Sequence, residues 1–159
     1  MKQKIELRKQ ELDDEEASST PKTRDIMKNA NPVRLAVHSL LASKDLLGGI
    51  GPQVSEIAKR MNDSVATTTE VEAKVKSRGF LARIFFGGDS TSADIIAKEA
   101  TQNQARIDSL TTLLNQANVS ADVQATLKAQ ITALQTAQTR LKALAEREKK
   151  ACGLFSWRF

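Results

Sequence analysis

Aromatic residues are scarce in this chain of 159 residues, which contains five Phe, one Trp and no Tyr. Large aromatic side chains dominate many compact cores, so their scarcity favours a thin, elongated helical body over a thick globule. Glycine and proline are also few, at seven and three. The most common residues, among them Ala, Leu, Lys, Glu, Gln and Thr, favour helices over strands. The composition therefore predicts an all-α protein, and this length is normal for one domain.

Cysteine is almost absent as well, since Cys152 is the only one. A single cysteine excludes an intrachain disulfide and a zinc site built from several thiolates. The sequence contains no apolar run that approaches the ~18 residues of a membrane-spanning helix. Its first residues are too polar for the apolar centre of a signal peptide. We therefore expect a cytoplasmic protein, which could also lie peripherally at a membrane.

Motifs for catalysis and cofactor binding are missing too. The glycine-rich stretch 48–52 lacks the Lys-Ser/Thr pair of a phosphate-binding loop, and Pro52 removes a backbone donor. His38 is the only histidine. With no Cys, Asp or Glu at a ligand spacing nearby, it is interpreted as a packed or surface residue. Asp89 alone cannot hold a metal. We predict that the protein is not an enzyme and has no cofactor or metal site.

The N-terminal segment, residues 1–24, alternates acidic and basic residues and has only three apolar contacts to offer, Ile5, Leu7 and Leu12. Three apolar side chains cannot offset the entropy lost when some twenty residues become ordered. We therefore expect a flexible charged arm that is disordered, or that becomes ordered only against a partner.

Two helices are predicted after this arm. Within residues 25–51, Asn31-Pro32 marks the start of a short buried helix, and Gly48-Gly49 marks its end. Residues 52–78 carry a heptad seam that is β-branched and partly polar. Such a seam needs a partner helix, from the same chain or from another copy. The seam residues are Val54, Ile57, Met61, Ser64, Thr68, Val71 and Val75.

Residues 92–150 have the pattern of an antiparallel helical hairpin. Ser92 and Ser120 can each cap a helix, and both helices have a seam at alternating spacings of four and three. The seams are Ile96, Ala100, Asn103, Ile107, Leu110, Leu114 and Ala117, then Val123, Leu127, Gln130, Leu134, Ala137, Leu141 and Leu144. Asn103 and Gln130 could fix the register of the two helices by a buried hydrogen bond, or they could lie at the solvent-exposed edge of the seams. The short connection predicts antiparallel neighbours, so both ends of the hairpin should lie at one pole.

All six aromatic residues lie in the two segments that flank this hairpin, a predicted aromatic and glycine-containing turn segment at 79–91 and a C-terminal tail at 151–159. If the hairpin ends share a pole, the two segments meet there. Residues 74–89 carry four bases and one acid, and residues 146–159 carry four bases and two acids; together these account for the net charge of +5. The predicted contact residues of this basic aromatic surface are Phe80, Leu81, Arg83, Ile84, Phe85, Phe86, Leu154, Phe155, Trp157, Arg158 and Phe159.

This surface could be shielded from water in three ways. The two segments could pack on each other as an internal plug. They could bind a protein partner or a second copy, since aromatic residues and Arg are enriched at interfaces. They could also lie on a membrane surface, where aromatic and basic residues occur together.

The sequence thus predicts a non-enzymatic interaction or structural subunit. It would dock through this surface into a larger assembly, which could be membrane-associated. A regulatory or inhibitory subunit of a partner enzyme is an alternative. Binding of single-stranded nucleic acid is a further and less favoured alternative, because the predicted hairpin has no continuous basic stripe.

Overall fold

A computed structural model describes residues 1–151, apart from the side chain of Phe80. These residues form helices and no strand, which confirms the predicted all-α class. The helices are α1 (Lys2–Ala17), α2 (Pro21–Ala42), α3 (Gly51–Ser77), α4 (Phe80–Phe86), α5 (Ser90–Gln116) and α6 (Ala121–Lys150). A 3₁₀ segment, Lys44–Ile50, connects α2 to α3.

The four long helices close a ring around the main core. In this ring α2 packs on α3, α3 on α5, α5 on α6, and α6 on α2. Each helix contributes fully buried aliphatic side chains at its seam, where a buried Leu or Ile typically stabilises a fold by about 1.5–3 kcal/mol. The most deeply buried are Leu40, Val54, Ile107, Leu110, Leu127 and Leu134. A second, smaller cluster formed by α3, α5 and α6 includes Val71, Ile96 and Leu141.

The seam of α3 is buried against α2 and α5, so its partner helices come from the same chain. The polar seam residues have hydrogen-bond partners: the Thr68 hydroxyl donates to the Ser64 carbonyl at 2.8 Å. Asn103 Nδ2 on α5 donates to Ser64 Oγ on α3 at 2.7 Å. A buried polar pair of this kind fixes the register of two helices. Gln130, the other polar seam residue, is half-buried.

The N-terminal segment differs from the expected flexible arm, because α1 is helical and docks on α2. Leu12 of α1 is buried. Asn31 Nδ2 donates to the Leu12 carbonyl at 3.2 Å, and Arg34 Nη1 pairs with Glu15 at 2.7 Å. Lys2 also pairs with Asp122, at the start of α6. These polar contacts add to the few apolar ones, and the sequence pattern of α1 alone does not reveal them.

Two helices begin earlier than the sequence predicted. Helix α2 starts at Pro21, where the Thr20 hydroxyl accepts from the Thr23 N–H, and not at Asn31-Pro32. Pro32 lies inside α2 on its exposed side, and Asn31 faces α1 instead. Helix α5 starts at Ser90 with Asp89 as its cap, so the predicted cap Ser92 is already within the first turn.

Candidate interaction surface at the α4 pole

Helix α4, the start of α5 and the end of α6 lie at one end of the molecule. The N–H of Gly88, two residues after α4, donates to the carbonyl oxygen of Ala151 at 2.9 Å. Lys149 Nζ at the end of α6 pairs with Asp94 Oδ1 at the start of α5, at 2.7 Å. We call residues 74–94 together with 146–151 the α4 pole. The described chain ends at Ala151, beside the segment that follows α4.

Glu148 connects α4 to α6. Its side chain is only 2% exposed, and Oε1 accepts from Arg83 Nη2 at 3.1 Å. Its other oxygen, Oε2, accepts from the backbone N–H of Asp89 at 3.2 Å. Arg83 also donates to the Val75 carbonyl at 3.1 Å, which links α4 to the end of α3. Arg83, one of the predicted contact residues, is therefore occupied in holding α4 on the body.

The opposite side of α4 is apolar and open to solvent. Leu81 is 66% exposed, Phe86 69% and Phe85 38%. Residues four apart share one side of a helix, so Leu81 and Phe85 are neighbours on this side. Ile84 is half-buried. Exposed apolar residues scattered singly are normal, and here three of them occur within one seven-residue helix.

The remaining predicted contact residues lie outside the described part of the chain. They are the side chain of Phe80 and the residues Leu154, Phe155, Trp157, Arg158 and Phe159. The structure brings Ala151, the last residue before Cys152, to the segment after α4. The predicted meeting of the two aromatic segments is therefore described only as far as Ala151.

The two glycines after α4 are required by this arrangement. Gly87 has a φ of 77°, in the region that favours glycine. A Cβ atom on Gly88 would overlap the carbonyl oxygen of Glu148 and lie 3.1 Å from the Cβ of Ala151. In sequence, such a glycine pair indicates only a turn. Its tight approach to α6 is a tertiary contact that local sequence cannot show.

The pole is positively charged, since residues 74–94 and 146–151 contain seven bases and four acids. The pKa of the Asp89 carboxyl lies below its ordinary value of 3.8. The main cause is the hydrogen bond from the Ser92 N–H, at 2.9 Å. The Ser92 hydroxyl and the positive charges of Lys74 and Arg78 act in the same direction, while burial opposes them.

Replacing Asp89 by Ala is expected to destabilise the fold by about 1 kcal/mol near neutral pH, the usual effect of losing an N-cap. Because the folded pKa is lowered, the charged form is stabilising. This contribution is complete above pH 3.8 and is lost as the pH falls through the lowered value. Urea unfolding followed by circular dichroism from about pH 7 to pH 2.5 should show the difference from the unmodified chain shrinking in acid.

The matched control is Asp63→Ala, at an exposed position inside α3. It should change the free energy of unfolding by no more than about 0.5 kcal/mol. A difference between the Asp89→Ala variant and the unmodified chain that stays constant down to about pH 2.5 would contradict the role of the charged carboxylate.

Sequence reasoning missed Glu148, although a signal for it was present. The α6 seam runs through Ala137, Leu141 and Leu144 in alternating spacings of four and three, and the next position in that register is Glu148. Because an acid at a seam position must be paired when buried, Glu148 could have been predicted to have a basic partner. That partner, Arg83, is distant in sequence and could not be identified from the pattern.

A groove of about 860 Å³ runs between α3 and α5, away from α4, with Ile57, Arg106 and Leu113 among its lining residues. Within residues 1–151, no group of His, Cys, Asp and Glu could hold a metal ion. In the same residues, no helix is long and apolar enough to cross a membrane.

Comparison with known proteins finds no family model, no curated protein and no solved structure that matches this chain.

Proposed function

We propose that this chain is a non-enzymatic interaction or structural subunit that docks into a larger assembly through the α4 pole. The observation that supports this proposal is the exposed side of α4, with Leu81, Phe85 and Phe86 together. Complete burial of one such side chain is worth about 1.5–3 kcal/mol. Covering this side of α4 would therefore contribute substantially to binding.

The way α4 is held supports the same proposal. Arg83 and Glu148 fix it to the end of α6, and Gly88 ties the following segment to Ala151. A surface that is already ordered loses less conformational entropy on binding. In this proposal the four long helices act as an elongated bundle, with α5 and α6 as its C-terminal antiparallel hairpin. Helix α5, at 27 residues, would make the bundle roughly 40 Å long.

Thiol labelling tests whether the α4 pole is covered in the cell. In a Cys152→Ser background, Phe86→Cys places a thiol on the exposed side of α4. We expect a maleimide to label the purified variant rapidly, and to label it at least ten times more slowly in cells that produce the chain. Rates that are equal in the two settings would overturn the proposed function.

Leu46→Cys in the same background is the matched control. Leu46 is 49% exposed and lies in the 3₁₀ segment, at the other end of α3 from the α4 pole. Leu46→Cys should be labelled equally fast in the purified protein and in cells. Slow labelling of Phe86→Cys alone would then reflect protection of the α4 pole and not slow entry of the maleimide into cells.

A further inference from the structure

We infer that the α4 pole binds the surface of an anionic lipid bilayer. This inference rests on the proposed function and names the partner of the same surface. It is supported by the exposed apolar side chains of α4, by the charges around α4 and by the composition of the sequence that follows Ala151.

The shape of α4 suits a bilayer surface. Leu81, Phe85 and Phe86 are exposed on a seven-residue helix at the end of the body. An interfacial helix needs no complementary pocket, because it inserts its apolar side about 5–10 Å into the headgroup boundary.

The outward charges of the pole are mainly positive. Lys74 and Arg147 are exposed, and the Lys150 side chain is 80% exposed beside Glu146. Among the acids, Glu148 is buried against Arg83, and Asp94 is paired with Lys149. Each base near an anionic membrane surface contributes about 1 kcal/mol of attraction.

The same charges disfavour a second copy of the chain as the occupant. Two α4 poles facing each other would oppose two net positive charges, each from seven bases and four acids, and juxtaposed like charges oppose association. An anionic surface complements them instead.

The sequence beyond Ala151 has a composition that fits this partner. It contains Phe155, Trp157, Arg158 and Phe159 within eight residues. Trp is enriched at membrane–water interfaces, and the combination of bases with Trp and Phe is typical of interfacial anchors.

Vesicle flotation with the full chain tests the inference. We expect the chain to bind vesicles of phosphatidylcholine with phosphatidylglycerol at least ten times more tightly than vesicles of phosphatidylcholine alone. Raising the salt concentration should weaken the binding, since it screens charge. The double variant Leu81→Ser/Phe86→Ser should bind the anionic vesicles at least ten times more weakly than the unmodified chain.

Leu46→Ser, which removes an exposed apolar side chain at the other end of α3, is the control and should bind as the unmodified chain does. Circular dichroism checks that each variant is folded. Absence of binding to anionic vesicles, or equal binding to both kinds, would overturn the inference. If vesicles fail to bind while Phe86→Cys remains protected in cells, the lipid inference fails and the proposed function stands. If both results are negative, both fail.

Discussion

Replacing Arg140 by Met is expected to lower the free energy of unfolding by about 3 kcal/mol, the lower end of the range for breaking a buried ion pair. Glu72 on α3 is buried. Arg140 on α6 holds its two oxygens with Nη1 at 3.0 Å and Nη2 at 2.8 Å. Asn29 on α2 donates at 2.9 Å, and Lys76 lies at 3.3 Å. Without Arg140, the Glu72 carboxylate stays buried with too few partners.

The matched control is Arg60→Met, which breaks an exposed pair with Glu56 on α3. Exposed pairs contribute little, so we expect a change below about 0.5 kcal/mol. Urea unfolding followed by circular dichroism measures both variants. The double variant Glu72→Met/Arg140→Met should recover more than half of the loss, because no buried charge is left unpaired. Equal effects of Arg140→Met and Arg60→Met would contradict this role.

Replacing Gly88 by Ala is expected to cost about 2 kcal/mol, as overpacking at a tight contact does. The new Cβ would overlap the Glu148 carbonyl oxygen, so the segment after α4 must move. That movement breaks the hydrogen bond from Gly88 to Ala151 and the one from the Asp89 N–H to Glu148. Amide hydrogen exchange should show faster exchange at Gly88 and Asp89, and urea unfolding gives the free energy.

Gly49→Ala is the matched control, since a Cβ there meets no atom within 4 Å. An alanine that fits without strain restricts the unfolded chain, so we expect either no change or a stabilisation of up to about 1 kcal/mol. If Gly88→Ala behaved in the same way, the close approach of this segment to α6 would be wrong.

Sequence periodicity predicted the buried positions of α3 and α5 well. The seams of α3 and α5 could be identified because burial repeats every three or four residues, and nearly all their positions are buried. Helix starts were less predictable: Thr20-Pro21 and Asn31-Pro32 carry similar signals, and the structure uses the first.

Individual ion pairs between distant residues could not be predicted. Glu72 and Arg140 stand 68 positions apart, and Arg83 and Glu148 stand 65 apart. Charged residues are common throughout the chain, so no local pattern pairs them. The apolar cluster of α4 was predicted in part, because the aromatic residues of 79–91 are visible in sequence. This segment was predicted as a turn, and its helix and the inward role of Arg83 were not predicted.

The contact between Lys2 and Asp122 places the N-terminus beside the start of α6. Asp122 lies in the first turn of α6, and the α4 pole lies at its last turn. Thirty helical residues separate these ends by roughly 45 Å. A fluorophore or a surface linker attached near Lys2 would therefore leave the α4 pole unobstructed and facing outward. The distance from such a fluorophore to a labelled bilayer would report directly on the orientation of the bound chain.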